Sequence, residues 1–141
     1  MGLTTTGRNL LCNFMCRTSA TATRPTAMYV GLTTASINDS STLSSITEVS
    51  TGSGYARVQV SASGGSPEYF TSPSDGAMSN NTALDFNFTS APGTITYAFL
   101  TNVASGTSGT LYAYAALGSS KTPGAGDKLS FASGALTFTL T

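Results

Sequence analysis

The chain has 141 residues, 40% of them hydrophobic, enough for one domain with a real core. Six Lys and Arg balance six Asp and Glu, and only 9% of the chain is charged, against about 25% in an ordinary soluble domain. In their place stand 21 Ser and 24 Thr, a polar but nearly uncharged surface that argues against nucleic-acid binding and favours self-association over colloidal repulsion.

Residues 5–17 read as the one helix. Thr5 or Thr6 caps it, and Leu10, Leu11, Phe14 and Met15 form an apolar stripe. Arg17 sits in the last turn, where a cation suits the dipole, and Pro25 implies that the helix has ended before it. Cys12 and Cys16, spaced i, i+4, share one helix face. With no His and no second Cys pair they do not make a zinc site, and two buried thiols are expected. The helix either plugs an open end of a sandwich or serves as a docking element.

Ala27–Leu32 (AMYVGL) reads as the first strand. Residues 33–54 are a long Ser/Thr-rich connection broken by Ile37, Leu43, Ile46 and Val49. Such a length marks either an ordered excursion or a mobile arm. As an arm, it should be removable: deleting 35–45 is expected to leave the domain folded but unable to bind its partner. Arg57–Ser61 is a second strand with Val58 and Val60 on one face, and a second long connection, 62–83, carries Tyr69 and Phe70. That aromatic pair either contacts a partner or folds back onto the domain.

From Leu84 onward the chain is a train of alternating segments, LDFNFT, TITYAFLTN, TLYAYAAL, KLSF and ALTFTLT, separated by Gly, Pro, Ser and Asn. Period-two alternation buries one strand face and wets the other. Leu84, Phe86 and Phe88 share a face; so do Ile95, Tyr97 and Phe99; so do Leu111, Ala113, Ala115 and Leu117, with Tyr112 and Tyr114 opposite; so do Leu136, Phe138 and Leu140. Residues 105–109 and 123–127 are turns. The pattern defines an all-β chain, a single antiparallel β-sandwich over 1–141, jelly-roll-like, with one short N-terminal α-helix.

Chemistry is sparse. Without His the usual general base is missing, and the six carboxylates fall almost entirely in connections, with Glu48 and Asp85 bordering apolar strands. No catalytic, metal or cofactor site is assigned, and no enzyme activity is expected. Tyr112 and Tyr114 suit a sugar-stacking platform, but cross-strand packing is the simpler role. No apolar run approaches the roughly 18 residues of a membrane helix, and Leu10-Leu11-Cys12 is too short for a secretory core; no membrane partner is expected, and synthesis in a cytoplasm is. The myristoylation-like start at Gly2 and the sequons at Asn38, Asn80 and Asn87 follow from Ser/Thr density alone.

The order of motifs is nevertheless familiar. Thr6-Gly7-Arg8-Asn9 opens the helix; Tyr29-Val30-Gly31-Leu32 follows; Glu48-Val49 precedes Gly54-Tyr55-Ala56-Arg57; the chain closes with Gly126-Asp127 to Leu129 and Gly134-Ala135-Leu136. Over nearly its whole length this order resembles small virion structural proteins of tailed bacteriophages, labelled as tail-fibre, minor tail or capsid decoration proteins. The resemblance implies a non-enzymatic particle protein on the outer surface of the virion. With no repeat, heptad stem or collagen-like segment, the compact chain suits a capsid decoration (cement) role with the major capsid protein as partner; a tail-fibre or tail-tip component bound to tail proteins, or a host-glycan adhesin, is the alternative. Self-association as a dimer or trimer is expected. The expected partner contacts are Leu10, Phe14, Ile37, Leu43, Ile46, Tyr69 and Phe70.

Overall fold

A computed structural model describes residues 1–17, 25–62, 65 and 68–139. Nine strands and one helix follow in order: β1 (Gly2–Leu3), α1 (Thr5–Cys16), β2 (Ala27–Thr33), β3 (Val58–Ala62), β4 (Ala77–Ser79), β5 (Leu84–Asn87), β6 (Ile95–Thr101), β7 (Leu111–Lys121), β8 (Lys128–Phe131) and β9 (Thr137–Thr139). Every pairing is antiparallel. One sheet has the order β1-β7-β6-β2-β3, and β4-β9 and β5-β8 form two-stranded sheets. The described residues are thus mainly antiparallel β with a single α-helix. Leu140 falls outside the described residues, while Leu136 is buried and Phe138 lies opposite Met78.

Alternation holds where the ladders are regular. In β5, Leu84 and Phe86 are buried between exposed Asp85 and Asn87, and Phe88 continues the same face. They join Val30 and Leu32 of β2 and Val60 of β3 in the main apolar cluster, so the large sheet packs against the β5–β8 pair. Phe86 binds this layer twice, stacked on Tyr55 and edge-on to Phe131, with both centroid distances 6.0 Å.

Two bulges redistribute the faces of β6 and β7. The β6–β7 register shifts between Ile95 and Tyr97 and again between Leu100 and Thr101. An extra residue inverts every side chain beyond it. Ile95 therefore joins the main cluster, while Tyr97 and Phe99 point to the opposite side. Leu111 likewise leaves the face of Ala113 and Leu117 and packs with Phe99. The shared faces expected for Ile95–Phe99 and Leu111–Leu117 are each split in this way. Gly31 makes room on the second side, because a Cβ there would run into the Phe99 ring and lie 2.8 Å from the Tyr55 hydroxyl.

The 33–54 connection is an ordered excursion that covers this second side. It leaves and returns as a short ladder, with Thr34 N–H donating to Thr47 O at 3.0 Å and Val49 N–H to Leu32 O at 3.0 Å. Ile37 (4% exposed) and Leu43 (3%) are buried against Phe99 and Leu111. The removable arm is thus corrected: periodicity places no strand here, yet the isolated apolar residues are core. The 62–83 connection contains β4 and ends at Asn80, 1% exposed, whose amide donates to Thr82 O and Ala132 O and accepts from Leu136 N–H. That amide is occupied by structure, so its sequon carries no acceptor role.

The helix departs from its expected orientation. Thr4, one residue earlier than read, is the N-cap; its hydroxyl accepts from Gly7 N–H at 3.0 Å and donates to Leu111 O at 2.6 Å. Arg17 is the C-cap, just beyond the last turn. The buried helix residue is Gly7, where a Cβ would collide with the Tyr112 carbonyl. A small residue lets the helix lie close on β7, and the apolar stripe turns outward. Cys12 and Cys16 are accordingly exposed, not buried.

Removing 35–45 deletes Ile37 and Leu43 from the second cluster, and each buried aliphatic truncation costs about 2–5 kcal/mol. The deletion variant should lose cooperative unfolding or shift its urea midpoint sharply downward. A midpoint equal to the parent's would exclude a core role for this excursion.

Candidate functional site

The residues of the Glu48-Val49 and Gly54-Tyr55-Ala56-Arg57 motifs converge into one buried polar centre. Glu48 sits on the returning limb of the excursion, bridged to Thr33. Gly54 adopts φ 81°, closing a single 3-10 turn and aiming Tyr55 inward. Arg57, its side chain 1% exposed, donates from Nε to Glu48 Oε1 at 2.7 Å and from Nη2 to Glu48 Oε2 at 2.6 Å. It also donates to Val103 O and Gly106 O, both at 2.9 Å, and lies 5.3 Å from the Phe99 ring centroid. Four of its five N–H donors are thereby satisfied. Tyr55 donates to Glu48 Oε1 at 2.9 Å while its oxygen accepts from Leu32 N–H at 2.8 Å. Burial, and then the Glu48 charge, push the Tyr55 phenol far above its ordinary 10.0.

A second cluster lies at the surface. Asp39 accepts from the Tyr114 hydroxyl at 2.6 Å and from Arg8 Nη2 at 2.9 Å, and these bonds hold its carboxyl below the ordinary value. Tyr114, opposite Phe99 in the ladder, lies diagonally beside Tyr97, centroids 6.3 Å apart. Tyr112 contributes its carbonyl to Thr4 instead. The Tyr112–Tyr114 pair expected from sequence is therefore replaced by Tyr97–Tyr114, and the polar atoms around it bond within the chain.

Neither notable carboxylate is arranged for acid–base work. Glu48 is bound by Arg57, and Asp85 is held low, first by Ser130 and then by Lys128 at 2.9 Å, opposite to the elevation a general acid requires. Among the described residues no cluster of three His, Cys, Asp or Glu is placed to hold a metal.

The residues expected to meet partners divide by exposure. Ile37 and Leu43 are buried, and Ile46 packs against them. Tyr69 and Phe70 fold back, partly buried, onto the main cluster. Leu10 is partly buried and Phe14 is 69% exposed. Met15, 71% exposed, was not singled out as a contact, and the signal for it is the buried Gly7 that turns this stripe outward. Phe14 and Met15 are the large exposed hydrophobics among the described residues. On the side of the sheet that carries the main cluster, Met1, β7 and the β8–Leu136 segment enclose an open groove of about 420 Å³.

The domain is mainly antiparallel, its polar centre is structural, and among its described residues the helix end projects apolar side chains into solvent; comparison with known families puts it in the class of small phage virion structural proteins. The family model of the podophage GP4 fiber I protein gp80 matches residues 2–139, and the chain belongs to that family. No curated protein matches it.

Two outcomes test the polar centre. Arg57→Ala leaves Glu48 without its partner and should cost about 3–5 kcal/mol in urea unfolding; an unchanged midpoint would show the pair to be dispensable. The Tyr55 phenol is neutral when protonated, and its raised pKa means that the folded state holds the proton longer. Its stabilisation is complete below pH 10, the ordinary value, and falls by about 1.4 kcal/mol per unit as pH rises above it. Tyr55→Phe should flatten that alkaline decline; an equal slope in both proteins would assign it to other groups.

Proposed function

We propose that the chain is a non-enzymatic fibre component on the outer surface of a phage particle, associated with tail proteins and joined to the assembly through the projecting end of α1. The observation that carries this reading is the exposure of Phe14 and Met15 in a chain of a fibre family. Large apolar side chains left in water on an otherwise well-packed domain mark an interaction surface. The helix that presents them is anchored at its other end, through Thr4, Gly7 and the Arg8–Asp39 pair, so the projection is held rigidly.

Capsid decoration on the major capsid protein is the second reading, favoured by a compact domain without stem or repeat. Membership of a fibre family supports the tail position over it. A non-enzymatic role is consistent with the structural use of Glu48 and Arg57 and the depressed Asp85 carboxyl.

Quantitative mass spectrometry of purified virions should find a low copy number relative to the major capsid protein, with antibody labelling at the tail. A near-stoichiometric ratio with head labelling would transfer the chain to the decoration role. Phe14→Asp should fold normally yet lose at least tenfold in particle incorporation; full incorporation would remove α1 from the contact.

A further inference from the structure

We propose that an extended segment of another virion protein adds as a strand to the outer edge of β7, in line with β1, and fills the groove beside that edge. This contact is separate from the helix end and stands independently of the role given to it.

The edge is open. Strand β7 has 11 residues, but β1 pairs only with its Ala113 and Tyr114, and Thr4 N–H adds one bond to Tyr112 O. Among the described residues no strand lies along 115–121 on that side. On the other side the ladder passes from the Tyr97–Ala116 pair to the Ile95–Lys121 pair, so 117–120 face Thr96 alone. The buried Thr96 hydroxyl has no hydrogen-bond partner among the described residues. Ala116 and residues 118–121 are exposed. A strand edge with unpaired N–H and C=O groups is a template for a further strand.

The groove runs along this edge. Successive strand side chains point to opposite faces, so a groove on one face takes every second residue. Here Ala115 to Ser119 line it without a gap, and so do Leu129 to Phe131 of β8. Among the described residues β8 pairs with β5 alone, so both walls are open strand edges. Met1 falls beside Ala115 by the β1–β7 register, and its nitrogen donates to Thr137 O, which closes that end.

These walls define what fits. The main chain of the added strand continues the line of β1. Its alternate side chains drop onto Ala98, Leu129, Phe131 and Leu136, and are apolar and small enough for a groove of about 420 Å³. Lys121, the only charged side chain of the lining, calls for a carboxylate at its end of the groove. A second copy has no such segment to lend, because its alternating strands β5 to β9 are already paired. A different protein of the particle supplies it.

Hydrogen–deuterium exchange of the full chain, free and in purified virions, reads the backbone directly. Amides of 116–120 should exchange fast in the free chain and about a hundredfold slower in the particle. Protection already present in the free chain, or fast exchange in the particle, would overturn the proposal. Gly118→benzoylphenylalanine places a photo-crosslinker where a Cβ meets nothing within 4 Å. It should join the chain to one short segment of a different virion protein; a link only to another copy, or to no protein, would exclude that occupant. Ser119→Pro removes a backbone N–H from the open run and Lys121→Glu reverses the charge. Each should lower particle incorporation roughly tenfold at an unchanged urea midpoint. If Ser119→Pro fails to fold, exchange in the parent still decides. Protection of α1 without protection of 116–120 would refute this contact and leave the helix-end contact standing.

Discussion

The ion pair between Glu48 and Arg57 is the constraint on which the rest of this structure depends. With Arg57 buried and Glu48 a quarter exposed, the pair gains little net energy, since desolvating the guanidinium offsets much of the attraction. Its effect is positional. Arg57, at the entrance to β3, binds the returning limb of the excursion through Glu48 and the 103–106 hairpin through two carbonyls. Three segments distant in sequence share one guanidinium. Tyr55 adds a fourth by accepting from the backbone of β2. If any of these segments shifts, a charge or a hydroxyl is left buried without a partner, so alternative placements of the excursion are strongly disfavoured.

This arrangement explains how so small a domain covers both faces of its main sheet. One face is closed by the β5–β8 pair and the other by the excursion pinned at Glu48. The bulges in β6 and β7 serve the same end, sending Ile95 to one cluster and Leu111 to the other. With both faces covered, the large apolar side chains left in water among the described residues are Phe14 and Met15 at the helix end. The molecule keeps an unfinished surface, as suits a part built into a larger particle.

Sparse charge fits that life. A fibre-family chain with as many acids as bases, and with 45 Ser and Thr among its 141 residues, has little to keep copies apart. Its charged groups serve local fastening instead: Arg8 with Asp39 ties the helix to the excursion, and Lys128 with Asp85 spans the β5–β8 pair.

Strands β2, β3 and β5 to β9, the antiparallel class and the helix were legible in the residues, because alternation and capping are local properties that short windows record, whereas the two- and three-residue β1 and β4 are too short to alternate visibly. The buried face of β5 and the inward pair Val58–Val60 were read directly, and the motif order pointed to a phage virion protein. Three things were decided only by the tertiary structure. The faces of β6 and β7 depended on bulges, which are properties of a pair of strands and leave no mark on either alone. The excursion is core because Ile37 and Leu43 find Phe99 and Leu111 across the sheet, a contact between residues more than fifty positions apart. The orientation of α1 was set by Gly7 against the Tyr112 carbonyl: the stripe alone left a plug and a docking element equally open, but close packing went to the residue with no side chain, and Phe14 and Met15 were left in solvent.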